Sequence, residues 1–463
     1  MAFLSFLDRE HSIAPPQYSR WLVPPAALAI HLSIGQAYAF SVFNLPLSKV
    51  IGGATAAPDD WKLSTLGWIF SLAIVFLGLS AATWGAWLER VGPRKAMFAS
   101  ACCFGGGFLV GALGISTHQL WLLLLGYGVL GGIGLGLGYI SPVSTLIKWF
   151  PDRPGMATGM AIMGFGGGAM VASPLSVALM SHFKDSRTHG LTETFVTMGI
   201  GYFVFMMIGV FLVRLPSTED TRHTAERPLP HTMEWKSGAA AASAPARTHG
   251  MMPTRQVGVA EAWRTKQFWL LWFVLCLNVT AGIGVLGQAS AMIQEVFPGR
   301  ITAAAAAGFV GLLSLANMAG RFIWSSTSDR IGRKPTYMIF FVLGALLYFA
   351  VPTVGVSSVG LFVLFYVVIL SMYGGGFATI PAYLRDLFGT VQVGAIHGRL
   401  LTAWSTAGIV GPVLVNYIRE YQIAHGVAKA ASYNTTMYIM AGLLIVGFIA
   451  NALVKPLAEP STT

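Results

Sequence analysis

Long apolar runs alternate along this chain with short polar breaks that carry glycine, proline or charge. The runs are predicted as transmembrane helices at residues 22–43, 64–87, 96–115, 119–141, 155–179, 194–213, 266–288, 303–324, 335–356, 358–381, 394–417 and 432–454. Each is near the ~20 residues needed to cross a hydrocarbon core about 30 Å thick. The fourth run stays apolar as far as Ile147, before Lys148. A polar stretch rich in Ala, Pro, Ser and charge separates the sixth run from the seventh, and is predicted to be a linker without fixed structure. The expected organisation is a segment 1–20, a six-helix half 21–214, a linker 215–262, a second six-helix half 263–455 and a tail 456–463. The fold class is therefore an all-α membrane protein of twelve helices in two six-helix halves.

Composition agrees with this pattern. The chain of 463 residues is 55% hydrophobic and 10% charged, which excludes an ordinary soluble domain. A net charge of +11 would suit a nucleic-acid partner, but the basic residues sit in the breaks between apolar runs. No nucleic-acid partner is expected. Of the 29 Lys and Arg, 21 fall in one set of breaks, the linker and the termini, seven fall in the opposite set, and Arg321 lies within a span. By the positive-inside rule both termini and the linker are expected in the cytoplasm. No cleavable leader is apparent at the N-terminus, and a bacterial cytoplasmic membrane is the expected location. A monomer is expected to suffice. Cys102, Cys103 and Cys276 all lie in apolar runs, without metal-ligand spacing or a disulfide framework. No metal, cofactor or catalytic constellation is expected. Gly126-Tyr-Gly128-Val-Leu-Gly131 matches a dinucleotide fingerprint only literally: no strand precedes it, and the glycines continue at 132, 134, 136 and 138. Such a run suits close helix contact.

Two breaks repeat. After the second run the chain reads Gly85-Ala-Trp-Leu-Glu89-Arg90-Val-Gly92-Pro-Arg94-Lys95, and after the eighth Ser325-Ser-Thr-Ser-Asp329-Arg330-Ile-Gly332-Arg333-Lys334. Acid, Arg, any residue, Gly and basic residues recur at equivalent places, which implies an internal repeat. The acid can cap a neighbouring helix N-terminus, and the glycine permits a tight turn. Gly85, Glu89, Arg90, Gly92, Arg94, Asp329, Arg330, Gly332 and Lys334 are accordingly candidate gating-loop residues. This pattern resembles the signature loop of the major facilitator superfamily; the second copy departs at Ser325 and Pro335. A narrower resemblance, to the oxalate/formate antiporter family and its monocarboxylate-carrying relatives, rests on several stretches. These are Gly35 to Phe43, Tyr139-Ile-Ser-Pro142, Trp149 to Gly155, Asn317-Met-Ala-Gly-Arg321 and Thr402-Ala-Trp404. It implies that Arg321 binds a substrate carboxylate. It also implies that Trp404 stands where the oxalate-carrying member has a second, cationic residue, which favours a monocarboxylate over a dianion.

Read from the residues themselves, Arg321 lies eight positions before Asp329, about 12 Å inside the membrane edge by helical rise. A guanidinium at that depth costs several kcal/mol and marks a functional site by default. No predicted span contains Asp or Glu to pair with it, so an anionic substrate is the expected mate. The competing reading is an arginine satisfied by backbone carbonyls. Trp404, Tyr373 and Phe377 on the second half, with Tyr139, Gln36 and Tyr38 on the first, are expected to line the same site. His31 and His397 are candidates for proton coupling, against the plainer reading of histidines satisfied by carbonyls.

The expected function is secondary transport of a small monocarboxylate of the lactate, pyruvate or formate type. Alternating access would run by anion exchange or proton symport. An oxalate/formate exchanger or another organic-anion or drug exporter of the same fold is the alternative. A carboxylate-binding membrane sensor is the alternative of another class.

Overall fold

A computed structural model of the chain describes residues 2–51, 57–185, 190–217, 256–286 and 288–457. Most of the linker and the end of the tail lie outside the described residues. Among the described residues the chain is helical, apart from turns, loops and an isolated parallel bridge between Ile13 and Leu215. Among the described residues, nine helices are long and apolar enough to cross a membrane: Thr65–Val91, Pro93–Ser116, Leu120–Trp149, Pro154–Phe183, Leu191–Leu212, Lys266–Leu286, Val359–Phe388, Val393–Ala424 and Lys429–Leu453.

The other three predicted spans each depart from that standard for a visible reason. The first is broken into Val23–Ile34, a 3-10 turn at Gly35–Ala39 and Ser41–Leu47. Gly35 presses against the fifth span there, where a Cβ would lie 2.3 Å from Phe165 O. The eighth, Ala303–Ile331, carries Arg321 within it and ends in a serine-rich, charged stretch. The ninth, Arg333–Ala350, opens on two basic residues and has only 18 residues.

The sequence places Asp329 and Arg330 in a loop, but both belong to helix. The eighth helix continues to Ile331 and the ninth begins at Arg333, so the connection is Gly332 alone, at φ 93 and ψ 155. The first half repeats this: Leu63–Val91 and Pro93–Ser116 are joined by Gly92 at φ 87 and ψ 170. Charge does not end a helix that has emerged from the bilayer. A backbone region that essentially glycine alone occupies does.

Glycines also set the helix spacing. A Cβ at Gly107 would lie 2.6 Å from Gly126 O, and one at Gly374 would lie 2.1 Å from Asn317 O. The Gly126–Gly131 run sits in a π-helical stretch, Leu124–Gly131, against the third span. The two halves meet mainly through the second span on the eleventh and the fifth on the eighth. Large side chains turned outward, such as Ile323, Leu346, Phe349 and Val204, are apolar and suit lipid.

The N-terminal segment folds under the first half. Arg94 donates to the carbonyls of Phe6 and His11, both at 2.9 Å, and the Phe6 ring stacks on Phe211. Asp8 pairs with Lys95 at 2.6 Å, and that hydrogen bond holds its carboxyl below the ordinary carboxylate range.

Candidate functional site

Arg321 is fully buried at the seam of the halves. Its Nε donates to Asn317 Oδ1 one turn back on the same helix, at 3.1 Å. Its Nη1 donates across the seam to the carbonyl of Ile162 on the fifth span, at 3.2 Å. The guanidinium carbon lies 5.6 Å from the Phe165 ring centroid and 5.5 Å from that of Phe377. Contacts of this kind contribute about 0.5–2 kcal/mol. They soften the cost of burial without cancelling the charge. Nη2 has no hydrogen-bond partner.

Most of the sequence-predicted lining residues gather around this cation. The Trp404 ring packs 4.5 Å from Phe377, 5.5 Å from Phe165 and 5.3 Å from Tyr139, centroid to centroid. Tyr38 packs edge-on to Phe165 at 4.9 Å, and its hydroxyl lies 3.3 Å from that of Tyr373, joining first and second half. Trp404 Nε1 and the Tyr139 hydroxyl are buried and unpartnered, like Arg321 Nη2. A buried donor without an acceptor costs about 1–3 kcal/mol, and more when charged. Three such donors in one aromatic enclosure, with no Asp or Glu in the apolar runs 119–141, 303–324 and 394–417 that carry them, form a set that an acceptor-rich anion satisfies.

Gln36 is committed in part within the first half. Its Oε1 accepts from Tyr127 at 2.8 Å, and Tyr127 packs among Phe40 and Phe108 in the first half's own core. Gln36 thereby ties the broken first span to the fourth, while its Nε2 is buried without a partner. His31 is fully buried, with Nδ1 facing the carbonyl of Ala161 and Nε2 facing that of Tyr139 at 3.2 Å. His397 is also buried, 5.8 Å from the Tyr139 ring, and neither ring nitrogen has a partner.

On the face of the repeated basic motifs the halves are tied by a pseudo-symmetric pair of caps. Glu89 Oε1 accepts from the backbone N–H of Gly394 at the start of the eleventh span, at 3.1 Å, and Glu89 Oε2 pairs with Lys148 at 2.6 Å. Asp329 accepts from the backbone N–H groups of Gly155 and Met156 at the start of the fifth span, each at 2.8 Å. Each acid thus closes the positive end of a helix in the other half. Gly85 permits the first contact: a Cβ there would lie 2.7 Å from Ala395 Cα. At the second contact the small residues sit on the opposite helix, since Gly155 and Gly159 make room for Ser325. That exchange accounts for the departure of the second copy from the signature at Ser325.

Sequence reasoning missed Arg333, which bridges Asp329 at 2.5 Å and Asp386 at 3.1 Å, and Arg385, which donates to Pro151 O at 3.1 Å. It also missed Phe165, whose aromatic ring in a glycine-rich run was the available signal. Arg90 and Arg330 are exposed, and Lys334 is spent on the carbonyls of Ala452 and Val454, each at 2.7 Å. These three take no part in the seam.

The sequence model of the Major Facilitator Superfamily matches residues 19–412 and again 300–463. The chain belongs to that superfamily. Its members here are transporters, not enzymes, and the twelve-helix fold is theirs. The chain is 24% identical to the oxalate:formate antiporter of Oxalobacter formigenes over 441 residues, covering 94% of this chain and 90% of that protein. It is 24% identical to the uncharacterized transporter YhjX of Escherichia coli, covering 85% and 87%. It is 23% identical to the apicoplast pyruvate carrier 1 of Toxoplasma gondii, covering 74% and 68%. Among solved structures, the proton:xylose symporter XylE superposes with a TM-score of 0.67 at 16% identity, covering 94% of this chain and 96% of that one. The human organic anion transporter MFSD10 superposes with a TM-score of 0.64 at 14% identity, covering 95% and 100%.

Proposed function

We propose that this membrane transporter carries a small monocarboxylate, of the pyruvate, lactate or formate type, between its two halves by alternating access. The observation that carries the reading is the lone buried cation Arg321 with its free Nη2, flanked by the unpartnered donors of Tyr139 and Trp404. A carboxylate placed there accepts from the guanidinium and one or both neutral donors. Hydrogen bonds to a charged partner contribute about 1.5–3 kcal/mol each, enough to offset much of the cost of the buried charge. The site supplies one cation, because Trp404 contributes an N–H and an aromatic wall but no charge. One negative charge is therefore the matched load. Tyr38, Tyr373, Phe165 and Phe377 exclude water and limit the cargo to a few heavy atoms.

The names of the relatives support the same class of cargo. Arg321 ties to the fifth-span carbonyl across the seam, so an anion that competes for Nη1 loosens one link between the halves as it binds. The Glu89 and Asp329 caps hold the basic face closed in this arrangement, and their release lets the halves rock. By its share of Lys and Arg, that face is cytoplasmic, in the cytoplasmic membrane of a bacterium, and a single chain contains the whole route.

Counterflow in proteoliposomes tests the reading: labelled pyruvate, lactate, formate and oxalate are offered to vesicles preloaded with each unlabelled anion. The expected result is rapid exchange of at least one monocarboxylate over oxalate, abolished in Arg321→Ala. Exchange by Arg321→Ala at the wild-type rate, or a preference for oxalate, contradicts it.

A further inference from the structure

Resting on that reading of the site, the geometry points to His31 as the proton-binding residue of the transporter, taking up one proton each time Arg321 is occupied by an anion. The starting observation is the pair of carbonyls around the ring. Nδ1 faces Ala161 O and Nε2 faces Tyr139 O, and a carbonyl oxygen only accepts. A neutral imidazole carries one N–H and can satisfy one of these oxygens, leaving the other opposed to a nitrogen lone pair. The imidazolium carries two and satisfies both. The protein has therefore built coordination for the charged ring in a place where nothing anionic compensates it.

The surroundings determine when that charge can be held. The first span packs against the fourth, fifth and sixth. No Asp or Glu occurs in Val23–Ile34, Gly132–Trp149 or Pro154–Phe183, and Glu193 lies at the far end of the sixth span. The titratable and charged groups that act on His31 are Arg321, Tyr139, whose ring lies 5.4 Å away, and His397 on the eleventh span. Tyr202 on the sixth span is turned to Phe104 and Phe108. Arg321 and His31 hold consecutive carbonyls of the fifth span, Ile162 O and Ala161 O. Gly164 lets the first span approach closely enough for this, since a Cβ there would lie 3.1 Å from His31 Cβ.

Burial disfavours a charge on the ring, and repulsion from Arg321 adds to it, so the empty carrier keeps one charge, on Arg321. An anion on Arg321 removes that repulsion and sets a negative charge beside the buried ring, which offsets part of the cost of burial. His31 then accepts a proton from water on the open side, and the loaded site again carries a single net positive charge. Empty and loaded carriers cross with equal charge, and net transport moves one proton with each monocarboxylate. His397 has neither carbonyl, and does not hold this proton.

Proteoliposomes with an internal pH dye and labelled pyruvate, lactate or formate test this. Exchange by the wild type is measured first; its absence would remove the transport reading itself, separately from the proton assignment. Given exchange, an inward gradient of one pH unit should drive about tenfold accumulation, as one proton per anion requires by linkage, with dye acidification. His31→Gln should lose the accumulation and the acidification while exchange persists; His397→Gln should keep both. Calorimetric binding to the purified wild type in two buffers of different ionisation enthalpy should show uptake of about one proton per anion. That measurement decides the matter should His31→Gln fail to insert. Accumulation by His31→Gln equal to wild type, a wild type that exchanges but ignores the gradient, or binding without proton uptake would each overturn the assignment.

Discussion

Arg321 was the most legible residue in the chain, because depth within an apolar run and the lack of an acidic mate can both be read from sequence. The structure adds what sequence cannot hold: which of its donors are already committed. Nε and Nη1 are spent on Asn317 and Ile162, and Nη2 is free. Charge alone is then not expected to suffice for transport. Arg321→Lys keeps the cation but loses the planar fork that reaches Asn317, Ile162 and cargo together, and is expected to reduce uptake by more than tenfold with normal insertion. Trp404→Phe keeps the wall and removes only the N–H; a several-fold rise in KM is expected, matching the loss of one hydrogen bond worth about 1 kcal/mol. Trp404→Lys adds a second cation and should move competition toward dicarboxylates, read by inhibition of labelled monocarboxylate uptake with oxalate. Gln36 shows the limit of reasoning at this scale. A polar residue in a span looks like lining from sequence, and only the position of Tyr127 reveals that its Oε1 is already spent on the first half's core.

At the scale of the helix, apolar length located the spans well and their ends badly. The eighth helix runs to Ile331 because emerging from the hydrocarbon does not stop a helix; Gly332 does. The repeat of that geometry at Gly92 was foreshadowed by the repeated motif, whereas the 3-10 break at Gly35–Ala39 had no signal beyond a glycine. Gly332→Ala should destabilise the second half by about 1–3 kcal/mol, seen as a lowered midpoint in thermal unfolding of the purified protein. Gly374 sets the seat of Asn317, with a Cβ falling 2.1 Å from Asn317 O and 2.6 Å from its Oδ1. Gly374→Val is therefore expected to displace the partner of Arg321 Nε and to impair transport without altering any lining side chain. Normal uptake by this variant would show that Asn317 does not position the guanidinium.

For the whole molecule, the two halves are held by chemistry that repeats while residue identities change. Glu89 with Lys148 matches Asp329 with Arg333, and each acid caps a helix of the other half. The acids were visible as a repeated motif, but their targets were not, because Gly155 and Gly394 are distant in sequence. Glu89→Gln with Asp329→Asn removes both charges from those helix ends, each worth about 0.3–1 kcal/mol, and up to about 2 when partly buried. The double variant should open the basic face more often, measured as a broader and longer distance between spin labels placed on that face of each half. An unchanged distance distribution would mean that packing of the second span on the eleventh, and the fifth on the eighth, holds this face closed without the caps.

The claim beneath all of these is that cargo is the missing acceptor for Arg321. Calorimetric titration of the purified protein with pyruvate, lactate and formate, wild type against Arg321→Gln, addresses it most directly. Gln keeps a donor and the approximate length but removes the charge. Affinity for the best-bound anion should fall by about a hundredfold, in the range of about 2–5 kcal/mol seen when one partner of a buried charge pair is removed. Equal affinity in the two proteins would contradict the account.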